Sequence, residues 1–179
     1  MIESTRLLLT AFEERDWKAV HEYASRGDIL IYEMWGPNTI AQTQAFIENA
    51  IIAGQATPRI LYEFAIFSKK EKKLIGGCSF KKDVKNPTKG TIGYVINPAY
   101  WNQGYATEAA RTLLRYVRHD LNIHHIEATC DTENIASQKV LEKCGFQQTG
   151  RVNDHLNIKG RKRDTFLYAL SQNPDAHVC

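Results

Sequence analysis

Long apolar runs are missing from this 179-residue sequence. No stretch approaches the ~18 apolar residues that span a bilayer. The start, Met1-Ile2-Glu3-Ser4-Thr5-Arg6, lacks the basic flank and apolar stretch of a secretory signal. We therefore expect no membrane span and a cytoplasmic location. Cysteine is sparse as well. Cys78, Cys130, Cys144 and Cys179 form no CxxC pair and no metal-ligand spacing. They read as free thiols of a reducing compartment, and no metal is expected. Nor does one sign of charge dominate. Lys and Arg number 23 and Asp and Glu 20, which leaves +3, too little to imply direct nucleic-acid binding. What is present is an ordinary globular composition, 43% hydrophobic, 24% charged and 10% aromatic. That argues against disordered, collagen-like and coiled-coil chains. The length suits one domain over 1–179, with a core over about 4–170 and a frayed tail over 171–179.

Periodicity orders the chain without any internal repeat. Arg6-Leu7-Leu8-Leu9-Thr10 reads as a strand. Trp17, Val20, His21 and Ala24 then fall at helical spacing, and residues 26–38 form a Gly- and Pro-punctuated loop. Phe46, Ile47, Ala50 and Ile51 mark a second helix. Strands are expected over Leu61–Ser68, 74–80 and 91–96, joined by polar turns. Ala106, Ala109, Ala110, Leu113, Leu114, Val117 and Leu121 give the clearest amphipathic helix. A strand over 125–130, a helix over 134–144 stopped by Gly145, and strands over 147–152 and 165–170 follow. Strand 91–96, its helix and strand 125–130 read as a parallel pair with a crossover helix inside an otherwise antiparallel set.

That crossover helix opens on Tyr100-Trp101-Asn102-Gln103-Gly104-Tyr105-Ala106-Thr107-Glu108. Gly104 permits a tight turn and close approach of a ligand, and Ala106 is small enough not to block it. The amides of Gln103, Gly104, Tyr105, Ala106 and Thr107 fall in the first helical turn, where N–H groups lack partners and the dipole is positive. A pyrophosphate fits there. The bland alternative is a helix start that uses Gly for a turn. The spacing is neither GxGxxG nor a P-loop, which disfavours NAD and ATP.

The segment resembles motif A of the GNAT superfamily of acetyl-CoA-dependent N-acetyltransferases. Gly104 and Ala106 match the last two places of Q/R-x-x-G-x-G/A, while Trp101 stands where Gln or Arg is usual. YW-x-x-GYATEA is similar to the RimJ/RimL-like subgroup. Thr5-Arg6-Leu7-Leu8-Leu9, Asn134-Ile135-Ala136-Ser137, Glu142-Lys143-Cys144-Gly145-Phe146, Gly160, Asp164 and Tyr168 agree in register. The resemblance implies an α/β (α+β) fold: a mixed, mostly antiparallel sheet with helices on both faces and a central parallel β-α-β cofactor unit. It implies acetyl-CoA as acetyl donor and a primary amine as acceptor. It also implies that Val95 and Ile96, beside a strand splay, offer backbone groups to the pantetheine arm and one amide to the thioester carbonyl. Asn134 then bonds the pantetheine or main chain, and Ser137 protonates the coenzyme A thiolate. Without the resemblance, Asn134 reads as an N-cap and Ser137 as a small packing residue.

The general base is the open place. Many GNAT relatives carry Glu where this chain has Thr91. Glu127 on the next strand is the catalytic carboxylate expected here, with Glu63, Glu108 and Asp164 as other choices. An α-amine has a pKa near ~8 and lysine near ~10.4. At neutral pH about a tenth of the former is neutral, but only about one in a thousand of the latter. Weak base machinery therefore favours protein N-termini, as in ribosomal-protein acetylation. Small amines such as polyamines or aminoglycosides, and a catalytically silent acyl-CoA-binding module, are the alternatives. Lys159, Arg161, Lys162 and Arg163 form a basic knot that reads as a solvated hairpin or a contact to phosphate. Oligomeric state is left open between monomer and homodimer.

Overall fold

The computed structural model describes residues 1–158 and 160–170. The tail expected to fray and Lys159 of the basic knot lie outside the described residues. Eight strands form one sheet: β1 (Ile2–Glu3), β2 (Leu7–Thr10), β3 (Leu61–Ser68), β4 (Lys73–Lys82), β5 (Lys89–Ile96), β6 (His125–Asp131), β7 (Phe146–Ile158) and β8 (Arg161–Leu170). Their order across the sheet is β1-β2-β3-β4-β5-β6-β8-β7. All neighbours run antiparallel except β5 and β6. The α-helices among the described residues are α1 (Trp17–Ala24), α2 (Ile40–Gln55), α3 (Tyr105–His119) and α4 (Ile135–Lys143). The mixed sheet and the crossover through α3 are those the sequence implied.

Alternation in β3 shows how the sheet divides its faces. Tyr62, Phe64 and Ile66 join the core under α3, with Ala109, Leu113 and Val117 of that helix at 0% exposure. Burying a side chain the size of Leu113 contributes about 1.5–3 kcal/mol. Ala65 and Phe67 face the other way, into a smaller core with Val20, Tyr23 and Ala24 of α1 and Ile47 and Ala50 of α2.

Several boundaries differ from the sequence expectation. β1 has two residues, too few for any periodic signal. α2 begins six residues before Phe46, because Thr39 and Gln42 close a capping box: Gln42 N donates to Thr39 Oγ1 at 3.2 Å, and Thr39 N donates to Gln42 Oε1 at 2.8 Å. β7 runs to Ile158 instead of stopping near 152. Two register shifts against β8 break its alternation, so its period fails while its pairing continues.

The feature that positions the site is the short reach of the parallel pair. β5 and β6 pair only from Lys89 with His125 to Thr91 with Glu127. Beyond Thr91 the strands part, while β5 stays paired with β4 as far as Ile96 with Gly76.

Candidate active site

At the top of β5 the chain turns through Pro98–Tyr100 into α3. Gly104 is the N-cap of α3, at φ +78°. The first bond into the helix runs from Glu108 N to Gly104 O at 3.1 Å. The amides of Tyr105, Ala106 and Thr107 therefore come before any helical acceptor can reach them. Arg6 braces this turn from β2's approach. Its Nη1 donates to Gln103 O at 2.9 Å, its Nε pairs with Glu108 Oε2 at 2.6 Å, and its guanidinium sits 4.5 Å from the Tyr105 ring centre. Ser4 Oγ also donates to Glu108, at 2.7 Å. Partial burial works to raise the Glu108 carboxyl, but the bonds from Ser4 and Arg6 prevail and hold it below its ordinary value. Glu108 is thus an anchor of the turn and not a base.

Trp101 has a use that sequence reading missed. Its Nε1 donates to the carbonyl of Ile96 at 2.7 Å, tying the end of β5 to the turn. Asn97 N donates to Ile75 O at 2.8 Å, so that residue faces β4. By the period of two, Val95 faces β4 as well, and its carbonyl would lie 2.2 Å from a Cβ added at Gly76. The gap between β5 and β6 is consequently lined by the backbone of Tyr94 and Ile96, not of Val95. The expected Val95–Ile96 pair shifts by one residue, because alternate residues of a strand address opposite neighbours.

Across the gap stands α4. Asn134 Oδ1 accepts from Ser137 N at 3.1 Å, so Asn134 is an N-cap. Ser137 Oγ shares a hydrogen bond of 2.9 Å with the Tyr94 hydroxyl, which also donates to Ser137 O at 3.1 Å. Burial pushes the Tyr94 phenol far above its ordinary value, against the bond from Ser137. Tyr94 therefore stays protonated and spans the gap at its top. Cys144 Sγ, 3.8 Å from Thr107 O, lies between α4 and α3.

On the opposite face of the sheet lies a cleft of about 370 Å³. Glu63, Ser79 and Gly93 cross its floor in one row, because β3, β4 and β5 pair Glu63 with Ser79 and Ser79 with Gly93. Val20, Tyr23 and Ala24 of α1, Phe46 of α2, and Glu33 and Trp35 of the intervening loop make the walls. Tyr94 and Val95 join the cleft to the gap. Burial pushes the Glu63 carboxyl up to about 7. The cleft thus holds a carboxylate poised near neutrality, beside a strand opening with a protonated phenol and a hydroxyl.

A family model described as "Acetyltransferase (GNAT) domain" matches residues 6–147. The chain is a GNAT acetyltransferase. It is 35% identical over 169 residues to the uncharacterized N-acetyltransferase YnaD of Bacillus subtilis, covering 94% of this chain and 95% of that one. A crystal structure of a GNAT-family acetyltransferase from Bacillus anthracis, 33% identical, superposes with a TM-score of 0.85 over 96% of this chain and 98% of that one. The [ribosomal protein uS5]-alanine N-acetyltransferase of Escherichia coli is 32% identical over 115 residues, 64% of this chain and 59% of that protein.

Acetyl-CoA is the acetyl donor of this GNAT enzyme, and the residues fit it. An unsatisfied helix start suits its pyrophosphate, and an open strand edge at Tyr94 and Ile96 suits its amide-bearing arm. Among the described residues no group of His, Cys, Asp and Glu is arranged to hold a metal, and no helix is long and apolar enough to cross a membrane.

The structure does not bring Glu127 to this cleft. It sits exposed on β6, the strand next beyond the floor, 3.9 Å from Lys89 Nζ. The cleft floor ends at β5, and the carboxylate on that floor is Glu63. Asp164 is likewise committed elsewhere. It pairs with Arg151 and accepts from Asp154 N at 2.9 Å. Of the basic knot, Arg163 grips Asp131 through two bonds of 2.6 Å and Lys162 meets Asp154 at 3.0 Å. Arg163 thus ties β8 to the end of β6, and Lys162 braces the β7–β8 hairpin. The signal for Glu63 was present in the sequence as the one charge within Leu61–Ser68. Its neighbours in the site were not.

Proposed function

We propose that this GNAT enzyme acetylates the α-amine of protein N-termini. The observation that carries the reading is Glu63, raised to about 7 in the cleft beside the β5–β6 opening. A base of that strength suits an α-amine near ~8 and falls about three units short of lysine near ~10.4. The similarity to an enzyme named for a ribosomal-protein alanine supports the same acceptor class.

The residues divide the work as follows. Acetyl-CoA supplies a thioester-activated acetyl group. The amides of Gln103, Gly104, Tyr105, Ala106 and Thr107 and the braced turn hold its phosphates. Ile96 and Tyr94 would present backbone groups to the arm, and the Ile96 amide would donate to the carbonyl oxygen on which negative charge develops. Glu63 takes a proton from the incoming ammonium, directly or through one water. As the C–N bond forms and the C–S bond breaks, Ser137 Oγ would give the departing sulfur its proton and regain one from the nitrogen, which sheds its second proton as the amide forms; Tyr94 holds that hydroxyl in place. Asn134 shapes the start of α4 that carries it.

The test is mass spectrometry of a cell lysate incubated with the protein and isotope-labelled acetyl-CoA. Label is expected on N-terminal peptides at the α-amine. Label confined to lysine side chains, or to small amines with none on peptides, would overturn the reading.

A further inference from the structure

The cleft holds a polar group that the transfer steps above leave unused. Tyr23 reaches it from α1 and is 2% exposed. Burial leads in raising its phenol, and the charges of Glu63 and Cys78 follow. Among the described residues, no hydrogen bond to its hydroxyl adds to or opposes that rise. Tyr94 differs, because Ser137 bonds its hydroxyl at 2.9 Å. Tyr23 therefore stays protonated and has an O–H donor with nothing to meet. A buried donor in that state is unfavourable, and a bound molecule that accepts from it removes the cost.

Strand register says where that hydroxyl lies. A Cβ added at Gly77 would be 3.8 Å from Tyr23 Oη. Gly77 pairs with Ala65, whereas Ser79, two residues on, pairs with Glu63. Tyr23 Oη thus stands over the row of the floor next to that of Glu63. Successive rows on one face of a sheet are about 6.8 Å apart. The row of Gly77 continues to Val95 of β5, the strand that borders the cofactor gap. A peptide N-terminus spans two such rows. Its α-nitrogen and first carbonyl oxygen are roughly 3 Å apart. A hydrogen bond of ~2.8 Å at each end then reaches from one row to the next.

We infer that Tyr23 is a specificity-determining residue of the acceptor cleft, its hydroxyl donating to the first carbonyl oxygen of a peptide while Glu63 meets the α-ammonium. The inference rests on the acetyl transfer to N-termini proposed above. In a peptide the carbonyl is attached to the carbon that bears the amine. An alkylamine or a polyamine has no such oxygen. Bound in the same place, it excludes water from Tyr23 and gives the hydroxyl nothing in return. The cleft therefore favours α-amino carbonyl compounds over plain amines of equal bulk. Tyr23 neither takes nor gives a proton in the transfer. It fixes where the nitrogen sits.

The experiment compares Tyr23→Phe with the unaltered protein at saturating acetyl-CoA. One acceptor is a short peptide beginning with Leu. The other is 3-methylbutylamine, which keeps the leucine side chain and amine and lacks the carbonyl. The amine is measured both as a substrate and as a competitive inhibitor of the peptide reaction, with spermidine as a further small amine. Tyr23→Phe is expected to lower kcat/KM for the peptide about tenfold, the ratio that ~1.4 kcal/mol gives. The constants for 3-methylbutylamine should change by less than about twofold. With no protein group bonded to the hydroxyl, neither the urea midpoint nor acetyl-CoA affinity should fall. A peptide kcat/KM within twofold of the original overturns this inference and leaves the N-terminal reading standing. Equal losses on peptide and amine, or a lowered urea midpoint, do the same, since each marks a structural role. Turnover of spermidine or 3-methylbutylamine with none of any peptide overturns both.

Discussion

The two ends of the reaction path are built differently. In the proposed mechanism the cofactor end uses backbone: helical amides after Gly104, a strand edge at Ile96, and a turn braced by Arg6 and Glu108. Most of its parts lie within the stretch from Tyr94 to Glu108. The proposed acceptor end uses side chains. Glu63, Glu33, Trp35 and Phe46 come from β3, a loop and α2, and their floor from β4 and β5. A common donor can be gripped by groups that every residue carries, so its site can tolerate varied side chains. The acceptor must be told apart from other amines, and only side chains can do that.

The largest test of this contrast is Glu63→Gln. Losing the base should lower kcat/KM by ~10²–10³ at neutral pH while acetyl-CoA affinity stays within about twofold. A steady-state and binding comparison checks both halves. Loss of cofactor affinity on the same scale would break the division between the two ends. The pH dependence has a definite sign. Activity should rise with pH as Glu63 ionises around its raised value of about 7. The same shift means the folded chain keeps a proton that the unfolded chain releases between the ordinary 4.5 and about 7. Folding stability should therefore fall as pH rises through that window, and Glu63→Gln should flatten the fall.

Ser137→Ala comes next. Removing the hydroxyl held by Tyr94 should cost about tenfold in kcat with little change in acceptor KM, seen in initial rates. An unchanged kcat would make Ser137 a packing residue. Gly104→Ala should cost ~1–2 kcal/mol of stability, read from urea unfolding, because only the positive φ opposes it. Its added Cβ would meet nothing nearer than Arg6 Nη2 at 3.5 Å, an ordinary contact. Asn134→Ala should be smallest, about 1 kcal/mol, the loss of one N-cap.

These residues also mark how far the sequence could be read. Gly104, Ala106 and the apolar stripe of α3 are local, so their period and spacing carried the turn and the crossover directly. Asn134 as a cap was legible for the same reason, since its partner Ser137 is three residues away. Glu127 was the expected base, but burial differs between it and Glu63, and burial is not a local property. Tyr94 drew no notice because its partner on α4 lies 43 residues on. The one-residue shift from Val95 to Tyr94 and Ile96 turned on which neighbour each backbone group faces.

The sequence by itself determined the order of elements from β2 to β8, the parallel unit and the helix start at Gly104, because each was legible in local period and spacing. Tertiary structure alone decided which carboxylate is buried in the cleft, which hydroxyl meets which phenol, and which side chains line that cleft. Those depend on strand register and on how much water each group loses, and both are set only when distant segments pack against one another.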